Sequence, residues 1–505
     1  MPTTGGTTVH HTSGATPVRV SGPLVAGGSL LSAGESRFSP DGSVIVYTAD
    51  QDTDNVFEIY ARIVRQHSVG TGGGWDSGST WDHGVAPDEV MQVFIDGSAN
   101  VTATGNPIAR SANELQVGNG AGTARLTLAS NAVVTAVNGF SINSGGEIRG
   151  DGQIVGDVAI TPLGELRASS NEQLRVTGDV LNEGSIVASG LPGAPAEIEF
   201  DGATENFDSI AARLAILRFN GGLYSENDIT FVSGSIDVFG DVNNQGTTDI
   251  SSSAVVTFHD DFHQDATLRV EKVGANSGEA VFLGAFTGFG GGTGGGDIIF
   301  KGDIRPGNSP ATVEFENKVA LGTGATLHIE VGGTLPGLQY DQVQVTGSLS
   351  LDGTLAVSLI NGFSPALGNT FDILDWMSRT GTFDTLQLPT LVGGLAWNAS
   401  ELYTNGVLSV GLAGDYNSDN AVDAADYVVW RKFENTSTTL PNDPNGLPID
   451  GDQYNTWRTN FGEPGGPGAG GSDRPGSAVP EPASFVLLVG ALVSTFATRR
   501  CQCFG

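Results

Sequence analysis

Cysteine is nearly missing: the 505-residue chain has 2, Cys501 and Cys503, both at its C-terminal end. A body without thiols has neither disulfide cross-links nor a thiolate metal site, so its fold must rest on packing and hydrogen bonds. Basic residues are scarce as well, with 23 Lys and Arg against 56 Asp and Glu, for a formal charge of −33. That balance excludes nucleic acid as a partner, because neutralising phosphates needs clustered Lys and Arg. It suits a bound cation and solubility outside the cell. The chain has no His-Glu-x-x-His pair, no Walker loop and no Gly-x-Ser-x-Gly elbow, so no catalytic constellation emerges and no enzymatic role is expected. In the His pair closest to metal-ligand spacing, His259-Asp-Asp-Phe-His263, both imidazoles would face the same side if the segment were a strand, with Asp261 between them. It reads as a solvated acidic turn. The glycine run 290–296 lacks the Lys and helix of a phosphate cradle and reads as a flexible turn.

Glycine, by contrast, is plentiful at 74 residues, about twice the usual share. With 39% hydrophobic residues and 24 Phe, the chain is too apolar for wholesale disorder and must bury a core. Residues 65–412 read as short alternating strands broken by Gly, Asn, Asp and Ser, as in Ala124-Arg-Leu126-Thr-Leu128 and Leu174-Arg-Val176. A phrase recurs: Gly178-Asp-Val180-Leu-Asn-Glu-Gly184 returns as Gly240-Asp-Val242-Asn-Asn-Gln-Gly246. Such a phrase predicts a mainly β fold, a parallel β-solenoid whose rungs bury alternate side chains and whose turn Gly and Asn take positive φ. Tandem β-sandwiches are the alternative, since no strict repeat length is present.

Short motifs add resemblances. Phe38-Ser-Pro-Asp-Gly42 with Ile45-Val-Tyr47 and Glu58-Ile-Tyr60 resembles a TolB-type propeller repeat, covering roughly one blade within 18–64; a single blade closes no ring, so this part reads as a remnant or an edge cap. Trp75-Asp-Ser-Gly-Ser-Thr-Trp81-Asp82 resembles the opening of bacterial surface β-solenoids. Arg305-Pro306-Gly307-Asn-Ser309-Pro310-Ala-Thr312, followed by Leu327-His-Ile329-Glu-Val331, is similar to strand pairs of autotransporter-passenger-like repeats.

The stretch 413–463 is a different kind of object. Asp415, Asn417, Asp419, Ala421, Asp423 and Asp426 occupy positions 1, 3, 5, 7, 9 and 12 of an EF-hand-type loop, where a hard cation such as Ca2+ gathers oxygen ligands, Ala421 contributing its backbone carbonyl. Asn420 stands at the position that favours glycine, and Asn visits the left-handed region readily. A helix is expected from Tyr427-Val-Val-Trp430-Arg431 onward. With that helix the segment resembles a type I dockerin module. A second copy follows, Asp450-Gly-Asp-Gln453-Tyr454-Asn-Thr-Trp457-Arg458, in which Asp450 stands for Asp423 and Trp457 for Trp430. It has Asn442, Pro444, Gly446 and Gln453 at positions 1, 3, 5 and 12. One competent calcium site is therefore expected, and a second half that mainly supplies packing. The resemblance implies a cohesin-like partner. Ala424 and Ala425, at the recognition positions of that family, offer no hydrogen bonds, so intramolecular docking and an unfamiliar receptor stay open.

A Gly/Pro linker, 464–478, leads to 479–505: Pro480-Glu481-Pro482, an apolar run at 485–497, then Arg499-Arg500. This order resembles a PEP-CTERM sorting tag. It implies an exosortase-type membrane protease as partner, transient anchoring by a C-terminal hydrophobic helix with the arginines on the cytoplasmic side, and export to the cell surface or extracellular matrix. Residues 1–17 are polar and lack a signal-peptide pattern, so the true start is expected upstream. The parts together suggest a structural or adhesive surface protein. A polysaccharide-binding or polysaccharide-degrading protein is the rival, to be favoured by exposed stacking aromatics.

Overall fold

The computed structural model describes residues 36–49, 58–105, 110–307 and 310–463, together with the backbone of two short paired strands, His10–His11 and Val18–Arg19. The linker, the sorting-tag residues Pro480, Glu481, Pro482, Arg499 and Arg500, and both cysteines lie outside the described residues.

The body is a parallel β-solenoid, not a set of sandwiches. Each rung contributes up to three short strands, such as Glu165–Ser169, Gln173–Val176 and Val180–Asn182. The third kind stacks into a 15-stranded sheet; the first two form a 22-stranded sheet, made continuous around a corner by long strands such as Gly146–Val155 and Ile229–Phe239. Strands of a rung alternate buried and accessible residues, the period-2 pattern of a strand with one face inward. Register then lines like with like: Val158 lies beside Val180, Val242 beside Phe262, and Phe262 beside Phe286. Stacked at about 4.8 Å per strand, the 15 strands make a rod some 65–70 Å long.

The missing repeat length has a simple cause. The ladders pair Leu223 with Val242, Val158 with Val180, and Leu327 with Leu355, so the chain consumed by one rung grows from the first pair to the last. Strands keep their register while corners absorb the difference, and an addition can become an excursion such as the hairpin Lys272–Val273 with Asn276–Ser277.

Inside, rows of like residues run along the axis. Phe258, Phe282 and Phe300 stack with centroids 4.9 and 5.4 Å apart, flanked edgewise by Phe286. The asparagines of the recurring phrase do not serve as positive-φ turn residues. Asn182, Asn206 and Asn244 are fully buried. Asn182 Nδ2 donates to Asn206 Oδ1 (2.6 Å), Asn206 Nδ2 to Ser225 Oγ (2.9 Å), and Asn244 Nδ2 to Gln264 Oε1 (3.2 Å). An amide both donates and accepts, so a column of them satisfies itself away from water. The aspartates of the phrase do the same outside: Asp157 Oδ1 accepts from Asp179 N, and Asp179 Oδ1 from Ala203 N. Gly178 is required by proximity, since a Cβ there would lie 2.3 Å from the Gly156 carbonyl carbon.

One further expectation changes. The glycine run at 290–296 is no flexible turn: Gly292–Thr293 is a strand of the large sheet, and a Cβ on Gly292 would meet Ile298 and Phe315 side chains within 2.8 Å. His259 and His263 do not share a strand, because the chain turns between Ala254–Phe258 and Phe262–Gln264. His259 stacks on Phe239 and pairs with Asp237, whereas His263 bonds to Thr287 and Asp265.

Both ends of the core are covered. At the start lies a three-stranded antiparallel sheet, Arg37–Phe38, Val44–Ala49 and Glu58–Ile63, whose Ile45, Tyr47 and Ala49 join the main core. At the far end Thr370–Asp372, Val407–Leu412 and Leu395–Asn398 form another, contributing Phe371, Trp397, Leu408 and Val410.

Candidate functional site

The loop 415–426 follows closely on the strand Val407–Leu412 and ends inside the helix Ala424–Phe433. Asp423 caps that helix: its Oδ1 accepts from Ala425 N (2.7 Å), and Asp426 Oδ2 accepts from Asp423 N (2.9 Å). Asp426 Oδ1 reaches back to accept from Asn417 N (3.0 Å), tying the loop's two ends. Asp415 accepts from Asp419 N and Asn420 N, Asn417 Oδ1 from Asp419 N, and Asp419 Oδ1 from Ala421 N. Asn420 takes φ 68°, as its place in the loop predicts. All six expected ligand residues thus lie in one compact turn.

Its electrostatics are unbalanced. Asp415 and Asp426 are buried, with 1% and 0% exposure. Burial pushes both carboxyls above the usual range; backbone N–H donors oppose this, while Asp419 raises Asp415 and Asp415 raises Asp426. The charged neighbours acting on the pair are acidic. Among the described residues no three His, Cys, Asp or Glu side chains converge on a point that would hold a metal ion. A hard cation held there would draw on mixed oxygens, the carboxylates, the Asn417 amide and the Ala421 carbonyl. Two buried carboxylates in mutual repulsion fit such a counter-charge.

The second half repeats the architecture with one chemical change. Asp450 caps the helix Gly451–Asn460, accepting from Asp452 N, and Gln453 Oε1 accepts from Asp450 N (2.8 Å), matching Asp426 atom for atom. Where Asp426 presents a second acceptor, Gln453 presents an amide: Nε2 donates to the Gly446 carbonyl (2.5 Å) and Asp443 Oδ2 (3.1 Å). At position 12 the second loop thus has a donor where the first has only carboxylate acceptors; within the first, Asn417 Nδ2 donates to Asp419 Oδ2 (2.8 Å).

The halves are bound by a reciprocal pair of bonds. Trp430 Nε1 donates to the carbonyl of Asp450 (2.8 Å), and Trp457 Nε1 to that of Asp423 (2.7 Å), so each helix's indole serves the other's cap. Between them Tyr427, Trp430, Tyr454 and Trp457 form one aromatic cluster. Tyr416, buried and donating to the Gln453 carbonyl (2.7 Å), completes the join. Sequence reasoning singled out the tryptophans but not Tyr416 or Asp443, whose positions in the loops have no ligand role to mark them.

The module sits on the end of the solenoid. Ala413 N donates to Gly394 O, and Asn398 Nδ2 to Ser418 Oγ. A groove of about 750 Å³ runs between Leu388, Leu391 and Leu395 on one wall and Asn445, Asn455 and Thr456 on the other. Of the four tryptophans outside the module, Trp75, Trp81 and Trp397 are buried and Trp376 is half-buried; Trp81 Nε1 donates to Trp75 O, and Trp397 Nε1 to Pro389 O. Among the described residues no helix is long and apolar enough to cross a membrane. Compared with models of known protein families and with curated proteins, the chain finds no match.

Proposed function

We propose that the chain is a non-enzymatic, exported structural or adhesive protein of the cell surface, whose β-solenoid rod ends in a calcium-binding, dockerin-like module. The observation that carries this is the contrast between the two loops. Gln453 supplies internal donors to the second, while Asp415 and Asp426 are buried in the first, where the charged neighbours acting on them are acidic. Asp415, Asn417, Asp419, Ala421, Asp423 and Asp426 would hold the ion, which supplies the positive charge that grouped carboxylates otherwise lack. Placement at the surface rests on the Pro480-Glu481-Pro482 to Arg499-Arg500 order, read as an exosortase-type sorting tag with transient membrane anchoring. For the rival polysaccharide reading, which needs exposed rings, Trp75, Trp81 and Trp397 are enclosed and Trp376 is partly accessible.

Calorimetric titration of the full chain with Ca2+ tests the site. One ion per chain is expected, and none after combined Asp415→Ala and Asp419→Ala. Absence of any calcium heat in the parent chain would refute it. Mass analysis of the mature C-terminus in cells tests the tag: cleavage near Pro480 is expected, and an intact tail on secreted protein would refute it.

A further inference from the structure

We infer that cation binding in the first loop and seating of the module on the end of the solenoid are a single coupled event, transmitted through Asn442. The inference rests on the proposed calcium site and adds what that site controls.

Asp415 serves two structures at once. Its side chain belongs to the loop, accepting from Asp419 N and Asn420 N, while its main-chain carbonyl accepts from Asn442 Nδ2 (2.7 Å). Asn442 is buried at 2% exposure, with φ 52°. That is left-handed backbone, which Asn adopts more readily than most non-glycine residues. Its own carbonyl accepts from Gly414 N (3.3 Å). Its side-chain oxygen has no hydrogen-bond partner, and the side chain fills the space over Gly411, where a Cβ would lie 2.1 Å from that oxygen. Asn442 is thus wedged between a strand of the solenoid's end sheet and the first residue of the loop.

The same few residues carry the rest of the contact. A Cβ on Gly414 would lie 2.9 Å from the Trp457 Cα, and one on Gly394 would lie 3.1 Å from Asn460 Oδ1. The helix Gly451–Asn460 therefore rests directly on backbone flanking the loop. Ser418 adds the tie to Asn398, in the strand Leu395–Asn398. When the loop is unfilled, repulsion between Asp415 and Asp426 acts on a residue whose carbonyl anchors Asn442, and displacement there frees the second helix. Filling the loop opposes that displacement. Linkage makes the effect reciprocal: whatever unseats the module must weaken cation binding by the same factor.

Hydrogen exchange of the full chain, with Ca2+ and with chelator, reads the coupling. Calcium should slow exchange in 415–426, and also in 394–398 and 453–460, by about tenfold or more. Asn442→Ala should abolish the slowing at 394–398 and 453–460 and weaken calorimetric calcium affinity about fivefold. Ser418→Ala, which removes a surface tie and leaves every carboxylate in place, should weaken it in the same direction by a smaller factor. Calcium heat accompanied by slowing confined to 415–426, or unchanged affinity in both variants, would overturn the coupling and leave the calcium site standing. No calcium heat in the parent chain would overturn both.

Discussion

Gln453→Glu changes one NH2 group to oxygen in an almost isosteric side chain and so isolates what the second loop owes to its internal donor. Gln453 is fully buried. Its Oε1 bond to Asp450 N would survive, but the bonds from Nε2 to the Gly446 carbonyl and to Asp443 Oδ2 would each become a contact between acceptors. Leaving a buried acceptor unsatisfied costs about 1–3 kcal/mol, so two such losses set a destabilisation of about 3 kcal/mol near neutral pH. Charge adds to this, because burial already lifts the neighbouring Asp443 above the usual carboxylate range. The introduced carboxyl would titrate high in the folded state, for the same reason. A group whose folded pKa is raised contributes its stability below the unfolded value, near 4.3 for Glu, and loses it as pH rises through the folded value. The penalty must therefore shrink on acidification, as the protonated carboxyl regains a donor. Urea unfolding followed by the fluorescence of Trp430 and Trp457, at pH 7 and pH 4.5, measures both quantities. A loss below about 1 kcal/mol at pH 7, or a loss that grows toward acid, would refute the reasoning.

Asp341 is buried and accepts from the backbone N–H groups of Ala311 and Glu330, and burial raises its carboxyl to about 6 from 3.8. Its favourable contribution is complete below pH 3.8 and lost as pH passes 6, so the stability of Asp341→Asn should vary less between pH 4 and 7, by roughly 2 kcal/mol; superimposable pH profiles would count against this. Phe282→Ala should remove about 3–5 kcal/mol from local stability, seen as faster hydrogen exchange in Ala254–Phe258 and Asp297–Phe300; unchanged rates there would dismiss the phenylalanine row as a stabilising element. Asn206→Leu removes the donor to Ser225 Oγ and the acceptor of one Asn182 bond within the buried column, for an expected loss of about 2 kcal/mol in thermal or urea unfolding. A more stable variant would show that shape rather than hydrogen bonding governs that column.

Strand alternation was legible because burial of one face imposes a period of two, and Leu174-Arg-Val176 displays it directly. The stacking of rungs was legible only as a phrase. The rung that joins Leu223 to Val242 is much shorter than the one that joins Leu327 to Leu355, and such variation erases a period while leaving register intact. The burial of Asn182 and Asn244 was hidden because an Asn two residues before a Gly reads as part of a turn. Only the rung above reveals that its amide has a partner. The turn between His259 and His263 was legible from the acidic pair Asp260-Asp261. In the module, the constant offset between the two copies displayed the pairing of Trp430 with Trp457 and of Asp426 with Gln453. Which carbonyl each indole would reach was hidden, since that depends on how two helices cross.

Corner lengths that vary without disturbing the ladders make the rod modular along its length. Each rung's outer edge is free to lengthen into an ornament, as Lys272–Val273 and Asn276–Ser277 already do, while the neighbouring rungs keep their places. A surface of this kind can exchange its decorations one at a time, so that what it presents to its surroundings diversifies faster than the scaffold that holds it.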